Sequence, residues 1–433
     1  MTAQTSKALE RFLQELFLPF VYSNSSFGPN QFAYMPERGA RDALAFAVMV
    51  WIIELAKGRK VAVYCSDVSG AFDRVELQRM IKKLEAKKID PAIIALLTSW
   101  LRNRQARVLV GGQFSESFDL SNMVFQGTVW GPTLWNMFYE DARRAVNEVF
   151  FKEIIYADDL NAYRAFTKDT SNEHMFACMR LCQKELHDWG KANQVSFDPA
   201  KESFHVLARA GLQAGKDFKF LGVTFDATLA MDRALSEVVV QAGWKLKTLI
   251  RTRRFYTDAE LISLYKAHML SYLEYRTPAI YHAKRDALQK IDRIQSKFLN
   301  ECGVDEITAL MEFNLAPLAA RRDIAMLGLI HRTMLGKGPL HFKDLFARGS
   351  NGRLVDPRQS IGGELVKRSA LGVVAIYNLL PERCTRLKSV NMFQKELQTI
   401  LKEFAIEGGF DWADTFSPRV ALNKHPLKKR GLI

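Results

Sequence analysis

The chain has 433 residues, 48% of them hydrophobic, with 61 Lys/Arg against 47 Asp/Glu and a formal charge of +14. That length supports two or three domains with sizeable cores, and the composition excludes a disordered chain. The basic balance points to a polyanionic partner, and it is uneven: residues 236–433 hold 32 basic against 20 acidic residues, the remainder 29 against 27.

In chain order, Leu9, Phe12, Leu13, Leu16 and Phe17 recur at helical spacing and predict an amphipathic helix over 7–22. A polar loop follows, then residues 31–44, where Arg38 and Arg41 stand just before a long apolar helix ending near Lys57-Gly58. Basic residues beside a helix start can hold phosphates. The longest apolar run, Ala43 to Ile53, is too short to span a membrane. Val61-Ala-Val-Tyr-Cys-Ser reads as a buried strand that delivers Asp67 at its C-terminal end, with Phe72 flanking the same cleft. The alternative duty for Asp67 is to cap the helical run 76–85.

Two amphipathic helical runs follow, 76–87 and 91–103, then strands near 105–110 and 116–121 joined through Gly111-Gly112. Phe125-Gln-Gly-Thr-Val-Trp-Gly-Pro-Thr-Leu134 reads as a glycine-bearing loop leading into a helix. There Gln126 and Gly127 would let backbone approach a base pair or a phosphate; a helix-start turn with no ligand is the alternative.

The stretch Phe151–Tyr163 places Asp158 and Asp159 between two strand-forming runs, a hairpin with both acids at or beside its turn. In mid-strand, neighbours point to opposite faces, whereas at a turn both can reach one cleft. Paired carboxylates suit Mg²⁺. With Asp67 they could hold two ions ~3.5–4 Å apart, activating a 3′-hydroxyl and stabilising a leaving pyrophosphate. An ordinary loop with two solvated acids is the alternative.

Five scattered cysteines (Cys65, Cys178, Cys182, Cys302, Cys384) are odd in number and argue against a disulfide scaffold. Cys178 and Cys182 lack zinc-spaced partners and read as small core residues. No secretory signal opens the chain. A soluble intracellular protein is expected, nuclear or cytoplasmic, with no membrane partner.

Three of these segments, Asp67-x-x-x-Ala-Phe-Asp73, Gln126-Gly127 with Gly131-Pro132, and Tyr156-Ala-Asp-Asp159, resemble the palm motifs of reverse transcriptases, in the family's order. Residues 31–44 resemble the preceding fingers motif, Trp189–Lys201 the next palm motif and Phe218–Phe225 the primer-grip hairpin. Tyr265–Tyr275 and Leu318-Ala-Ala-Arg-Arg322 resemble thumb segments, and Arg368-Ser-Ala-Leu371 with Tyr377-Asn-Leu-Leu-Pro381 a C-terminal region. The resemblance covers nearly the whole chain and is closest to the non-LTR (LINE-type) retrotransposon group.

The resemblance implies a right-hand polymerase of α+β class. Partial fingers would span 1–58, a palm with an antiparallel sheet and inserted fingers elements 59–235, a helical thumb 236–345 and a mostly helical basic region 346–433. It implies RNA-directed DNA synthesis with two Mg²⁺ ions, Mn²⁺ being a substitute. Partners would be an RNA template, a DNA primer or nicked target DNA, and dNTPs. By matching position, Asp67, Asp158, Asp159 and the Val68 carbonyl would hold metal. Phe72 would be the steric gate against a ribose 2′-hydroxyl. Gln126, Gly127 and Tyr156 would line the nucleotide pocket, and Arg38 would fork onto the triphosphate. Lys201 would donate a proton to pyrophosphate, and Phe220, Leu221 and Gly222 would position the primer end. Lys245, Lys247, Arg251, Arg253 and Arg254 would grip the hybrid, and the tail Lys424–Arg430 is a basic patch.

Family members carry more fingers sequence and commonly an endonuclease ahead of it, so an N-terminally truncated copy is expected. Two rival readings stay open: a catalytically inactive, host-retained RNA-binding relic, and a group II intron-type reverse transcriptase or maturase.

Overall fold

The computed structural model describes residues 4–23, 27–120, 124, 126–209, 216–350, 352–408 and 411–429. Phe125, Ser121 and Arg430, named above, lie outside them. The chain divides into two compact units, one of residues 1–39 and 62–205, the other of 40–61 and 206–433. The architecture is α+β, with antiparallel pairing in the small sheets and many helices.

The first unit is organised on a four-stranded sheet ordered 152–156, 159–166, 60–66, 203–207. The first two strands are an antiparallel hairpin in which Tyr156 faces Asp159. The strand Lys60–Ser66 is buried along its whole length, as its unbroken run of strand formers requires. Residues 30–32 extend the sheet edge: Phe32 N–H donates to Ile155 O at 2.9 Å and Ile155 N–H to Asn30 O at 2.9 Å. The helix Leu77–Ala86 is capped by Glu76, whose carboxylate accepts from the amides of Gln78 and Arg79. Asp67 therefore has no capping duty. The expected strands are short pieces, Arg104–Ala106 paired with Phe118–Leu120, and Leu109–Val110 paired with Gln113–Phe114 around Gly111-Gly112.

The first helix, Gln4–Ser23, departs from expectation in what it buries. Leu9, Phe12 and Leu16 are exposed, while Phe17, Val21 and the acid Glu10 face inward. Glu10 accepts from Val129 N–H at 2.6 Å, and the Trp130 indole donates to Glu10 O at 2.7 Å. A carboxylate satisfied by amide donors can be buried where spacing alone assigns an apolar residue.

In the second unit, the helix Ala40–Ala56 is apolar nearly all round and mostly buried. Its Trp51 packs edge-on against Phe225 and close to Phe218 and Phe220, the rings of the hairpin Phe218–Phe225. Helices Asp232–Arg251 and Arg285–Cys302 pack against each other and present Leu235, Val238, Ala242 and Leu246 on the first, Ile291, Phe298 and Cys302 on the second, as buried faces. All five cysteines are free; Cys182 is buried as expected, while Cys178 is half-exposed beside His174. Among the described residues no helix is long and apolar enough to cross a membrane.

One buried histidine makes the second unit sensitive to acid. His282 is fully buried and bonds Leu229 O through Nε2, which must donate. Burial pushes its pKa down to about 4, from an ordinary 6.5. The folded state therefore stays neutral where the unfolded chain takes up a proton, so stability is complete above pH 6.5 and falls as pH drops toward 4. Urea midpoints measured across this window should fall on acidification, and His282→Gln should flatten that slope; an unchanged slope in the variant would refute the assignment.

Candidate active site

The central strand Lys60–Ser66 releases Asp67 at its C-terminal end, and the hairpin 152–166 brings its turn to the same end of the sheet. Asp158 lies in the two-residue turn and Asp159 opens the next strand. Ala157 holds a left-handed φ of 59°, a costly conformation for a residue with a Cβ. The Trp135 indole fixes it by donating to Ala157 O at 3.1 Å.

The three acids converge. Burial, reinforced by Asp158 and Asp67, pushes the Asp159 carboxyl up to about 7, and its carboxyl lies within hydrogen-bonding reach of Asp67. Asp158 is also held above the ordinary carboxylate range, by burial first and then by Asp67. Like charges in one half-buried place require a proton or a cation between them. Lys201 answers in part: its Nζ stands 2.6 Å from Asp67 Oδ2 and 3.9 Å from Asp198 Oδ2. Among the described residues no three His, Cys, Asp or Glu side chains are arranged as ready ligands of one ion. The ammonium of Lys201 sits on Asp67. As a donor set, three hard anionic oxygen groups fit a divalent ion such as Mg²⁺.

Val68 pairs with Phe197 in an antiparallel bridge flanked by Ser69 N–H to Ser196 O at 2.9 Å and Asp198 N–H to Asp67 O at 3.0 Å. Its own carbonyl takes no part in that pairing and points to the opposite side. Phe72, half-buried in the short helix Ala71–Arg74, rests on Trp135 at 5.7 Å and meets Tyr34 edge-on at 6.5 Å. Trp135 stacks on Tyr139 at 5.0 Å, and Tyr139 meets Trp189 at 5.4 Å. An aromatic run thus passes alongside the acids. Tyr156 is half-buried in the strand before the turn. Gln126 and Gly127 are exposed, Gly127 with a φ of 81° that only glycine adopts freely. Arg38, expected to fork onto the triphosphate, donates from Nη1 to the carbonyls of Pro29 (2.7 Å) and Gln31 (2.9 Å), bracing the segment that extends the sheet.

Phe220, Leu221 and Gly222 lie in the second unit. Phe220 is buried, while Leu221 and Gly222 form a tight turn with φ of 47° and 73°. The Tyr275 hydroxyl donates to Leu221 O at 2.9 Å, from a helix that follows a π-helical turn at Lys266–Leu270. That contact gives the 265–275 segment a purpose its spacing did not disclose.

The sequence profile of the family described as "Reverse transcriptase (RNA-dependent DNA polymerase)" matches residues 1–225. The chain belongs to the reverse transcriptase family. Curated relatives agree with the LINE-type resemblance. The "RNA-directed DNA polymerase from mobile element jockey" of Drosophila melanogaster is 25% identical over 318 residues, 68% of this chain and 34% of that protein. Its counterpart from Drosophila funebris is 24% identical over 320 residues, with the same coverage. The chain thus spans about a third of the length of these relatives. Among solved structures, a Candida tropicalis telomerase in complex with a fragment of telomeric RNA matches at a TM-score of 0.41, with 13% identity over 92% of this chain and 57% of that one. A Candida albicans telomerase in a similar complex gives 0.39, with 9% identity over 91% and 56%.

Around this candidate site, several groups escaped the sequence reading. Glu202, next to Lys201, is buried and accepts from Tyr64 Oη at 2.5 Å, Gln183 Nε2 at 2.7 Å and His187 Nε2 at 2.8 Å. In the Trp189-Gly190 motif, a Cβ on Gly190 would lie 2.6 Å from Val195 O and 2.9 Å from the Phe197 ring. Glycine is required there so that residues 195–198 can approach and pair with Asp67–Ser69. In the second unit, Trp244 and Phe255 are exposed with Lys247 and Arg254 over their rings. Basic residues interleaved with aromatics are a legible nucleic-acid signal, and only the charges were read.

Proposed function

We propose that this chain extends a primer 3′-hydroxyl with deoxynucleotides on an RNA template. The observation that carries this reading is the convergence of Asp67, Asp158 and Asp159 beside Phe72, in a chain whose first 225 residues match the family. Asp67, the Val68 carbonyl, Asp158 and Asp159 would hold two Mg²⁺ ions, or Mn²⁺ in their place. When bound, these supply the positive charge that offsets the 3′-oxygen and the triphosphate.

The chain's own groups do the rest. The 3′-oxygen forms a bond to the α-phosphorus, the bond to pyrophosphate breaks, and the 3′-hydroxyl proton leaves to solvent. Lys201, whose pKa is raised by its bond to Asp67, enters protonated and is the donor to the departing pyrophosphate. By its position in the motif Arg38 would meet the triphosphate, and Gln126, Gly127 and Tyr156 would line the base and sugar. Phe220, Leu221 and Gly222 seat the primer end. Residues 1–58 then serve as fingers, 59–235 as palm, 236–345 as thumb and 346–433 as a basic C-terminal region. An RNA template with a DNA primer or nicked target DNA, and dNTPs, are the partners, with the cell interior, nucleus or cytoplasm, as the setting.

Primer extension on poly(rA)/oligo(dT) tests the reading. Incorporation of dTTP with Mg²⁺ or Mn²⁺ supports it; binding of the duplex without extension under either metal would instead support the inactive RNA-binding relic. Phe72 carries a separate prediction. Its ring would occupy the space of a 2′-hydroxyl, so Phe72→Val should lower the preference for dNTP over rNTP by roughly 10- to 100-fold, the usual scale for steric discrimination in a pocket. Ratios of kcat/KM for dTTP and UTP measure this, and a wild type that accepts both equally would remove Phe72 from the role.

A further inference from the structure

The proposed polymerase chemistry does not use the segment Tyr377-Asn-Leu-Leu-Pro381, and the structure shows what it builds. Residues 347–350 and 352–355 pair as a small hairpin: Val355 N–H donates to Ala347 O at 2.8 Å, Gly349 N–H to Arg353 O at 2.8 Å, and Arg348 pairs with Leu354. Its turn closes through Gly352, whose φ is 77°. Asn378 pins the hairpin with both ends of its amide, Oδ1 accepting from Leu354 N–H at 2.9 Å and Nδ2 donating to Leu354 O at 2.8 Å.

Tyr377 is held just as firmly. His331 Nε2 faces Leu387 O at 2.8 Å and must donate, so Nδ1 is the acceptor for the Tyr377 hydroxyl at 3.0 Å. Burial lowers the His331 pKa, which keeps the ring neutral and this arrangement fixed. The two neighbours Tyr377 and Asn378 thus preorganise a hairpin that carries two exposed arginines, Arg348 and Arg353.

Between the hairpin and Pro381 lies a cleft of about 630 Å³, lined by Arg348, Arg353 and Arg386. A second cleft of about 410 Å³ shares Arg353, Leu354 and Asn378 with it and runs on to Lys428. The acids in these walls pair with neighbouring arginines: Glu382 with Arg386 at 2.7 Å and Asp356 with Arg358 at 2.7 Å. Two adjoining clefts with cations spaced along them fit a chain of phosphates better than one isolated anion, and they are too small for a duplex.

We propose that this arginine hairpin is a second nucleic-acid contact, which takes backbone phosphates of one single strand in the clefts between residues 348–354 and 377–386. It does not rest on the polymerase reading, because binding is measured without turnover. The test is fluorescence anisotropy of the full chain with a short labelled single-stranded RNA, and with DNA of the same sequence, across a salt series. Arg348→Gln with Arg353→Gln should weaken binding, and the slope of log K against log[salt] should become shallower by about 1.4, since each lost single-strand phosphate contact removes about 0.7. Replacing both arginines by lysine should restore most of the slope, since it keeps the charges. Loss on RNA and DNA alike means that the backbone alone is read; loss on RNA only means that the 2′-hydroxyl is read as well. Wild-type affinity and slope in the glutamine variant would overturn the proposal and leave the clefts to an acidic protein segment.

Discussion

Asp158→Asn and Asp159→Asn should each abolish primer extension while leaving the hairpin folded. The turn geometry rests on Ala157, the Trp135 indole and strand pairing, none of which needs the carboxylate charge. In the proposed mechanism the charge belongs to the chemistry. Amides at these positions remove the anionic oxygens that a divalent ion requires and relieve the repulsion that, added to burial, pushes the Asp159 carboxyl up to about 7. If each carboxylate supports several kcal/mol of transition-state charge stabilisation, losing about 4 kcal/mol lowers kcat by roughly a thousandfold. Single-turnover dTTP incorporation on poly(rA)/oligo(dT) reads this directly, with duplex binding as the control. A variant that keeps wild-type kcat would show that the acids are a surface cluster with no catalytic part. The structural corollary is that each variant should be no less stable than wild type, because a half-buried like-charge cluster is relieved by neutralisation. A urea midpoint that drops in both would contradict that.

The second large effect is expected at a residue that touches no substrate in the proposed mechanism. Glu202 gathers Tyr64 from the strand that leads to Asp67, and Gln183 and His187 from the helix Asn172–Asn193. It immediately follows Lys201, whose Nζ lies on Asp67. Glu202→Ala leaves the buried Tyr64 hydroxyl and two further donors without their acceptor. An unsatisfied buried donor costs about 1–3 kcal/mol. A loss of roughly 1–3 kcal/mol in unfolding free energy is therefore expected, read from urea midpoints at constant m. Primer extension under conditions where the variant is folded should also fall, since the strand end and Lys201 lose their common anchor. Glu202→Gln, which keeps one acceptor oxygen, should sit between the two. A Glu202→Ala variant with the wild-type midpoint would show that water replaces the carboxylate and that the hub is not structural.

Several elements were legible before any coordinates. The hairpin at 152–166 showed itself because strand formers flank two residues that suit a turn, and a turn is the only place where adjacent side chains can share a cleft. The strand 60–66 was legible because a run that is apolar on both faces and β-branched can only be buried. The first helix was legible in existence, not in orientation. Periodicity predicted that Leu9, Phe12 and Leu16 would be buried, but Glu10 turns inward to satisfy the amides at 129–130 and carries those apolar residues to the surface. Arg38 was read as a ligand-facing fork, and its link to the carbonyls of Pro29 and Gln31 could not be seen, because backbone acceptors leave no trace in side-chain identity.

By itself, the order of residues determined which side chains are candidates for the proposed chemistry: acids at a strand end and at a turn, an aromatic five residues beyond the first, and an excess of cations in the second half. Local interactions decide such things, since turn propensity, strand formation and net charge depend on near neighbours. Only the tertiary structure decided that Lys201 rests on Asp67, that Glu202 ties a strand to a helix 15 to 19 residues behind it and to a tyrosine 138 away, and that Tyr377 and Asn378 brace an arginine hairpin. Those contacts join residues whose separation along the chain has no period, so no spacing rule can announce them; they exist because buried polar groups must find partners wherever folding brings them.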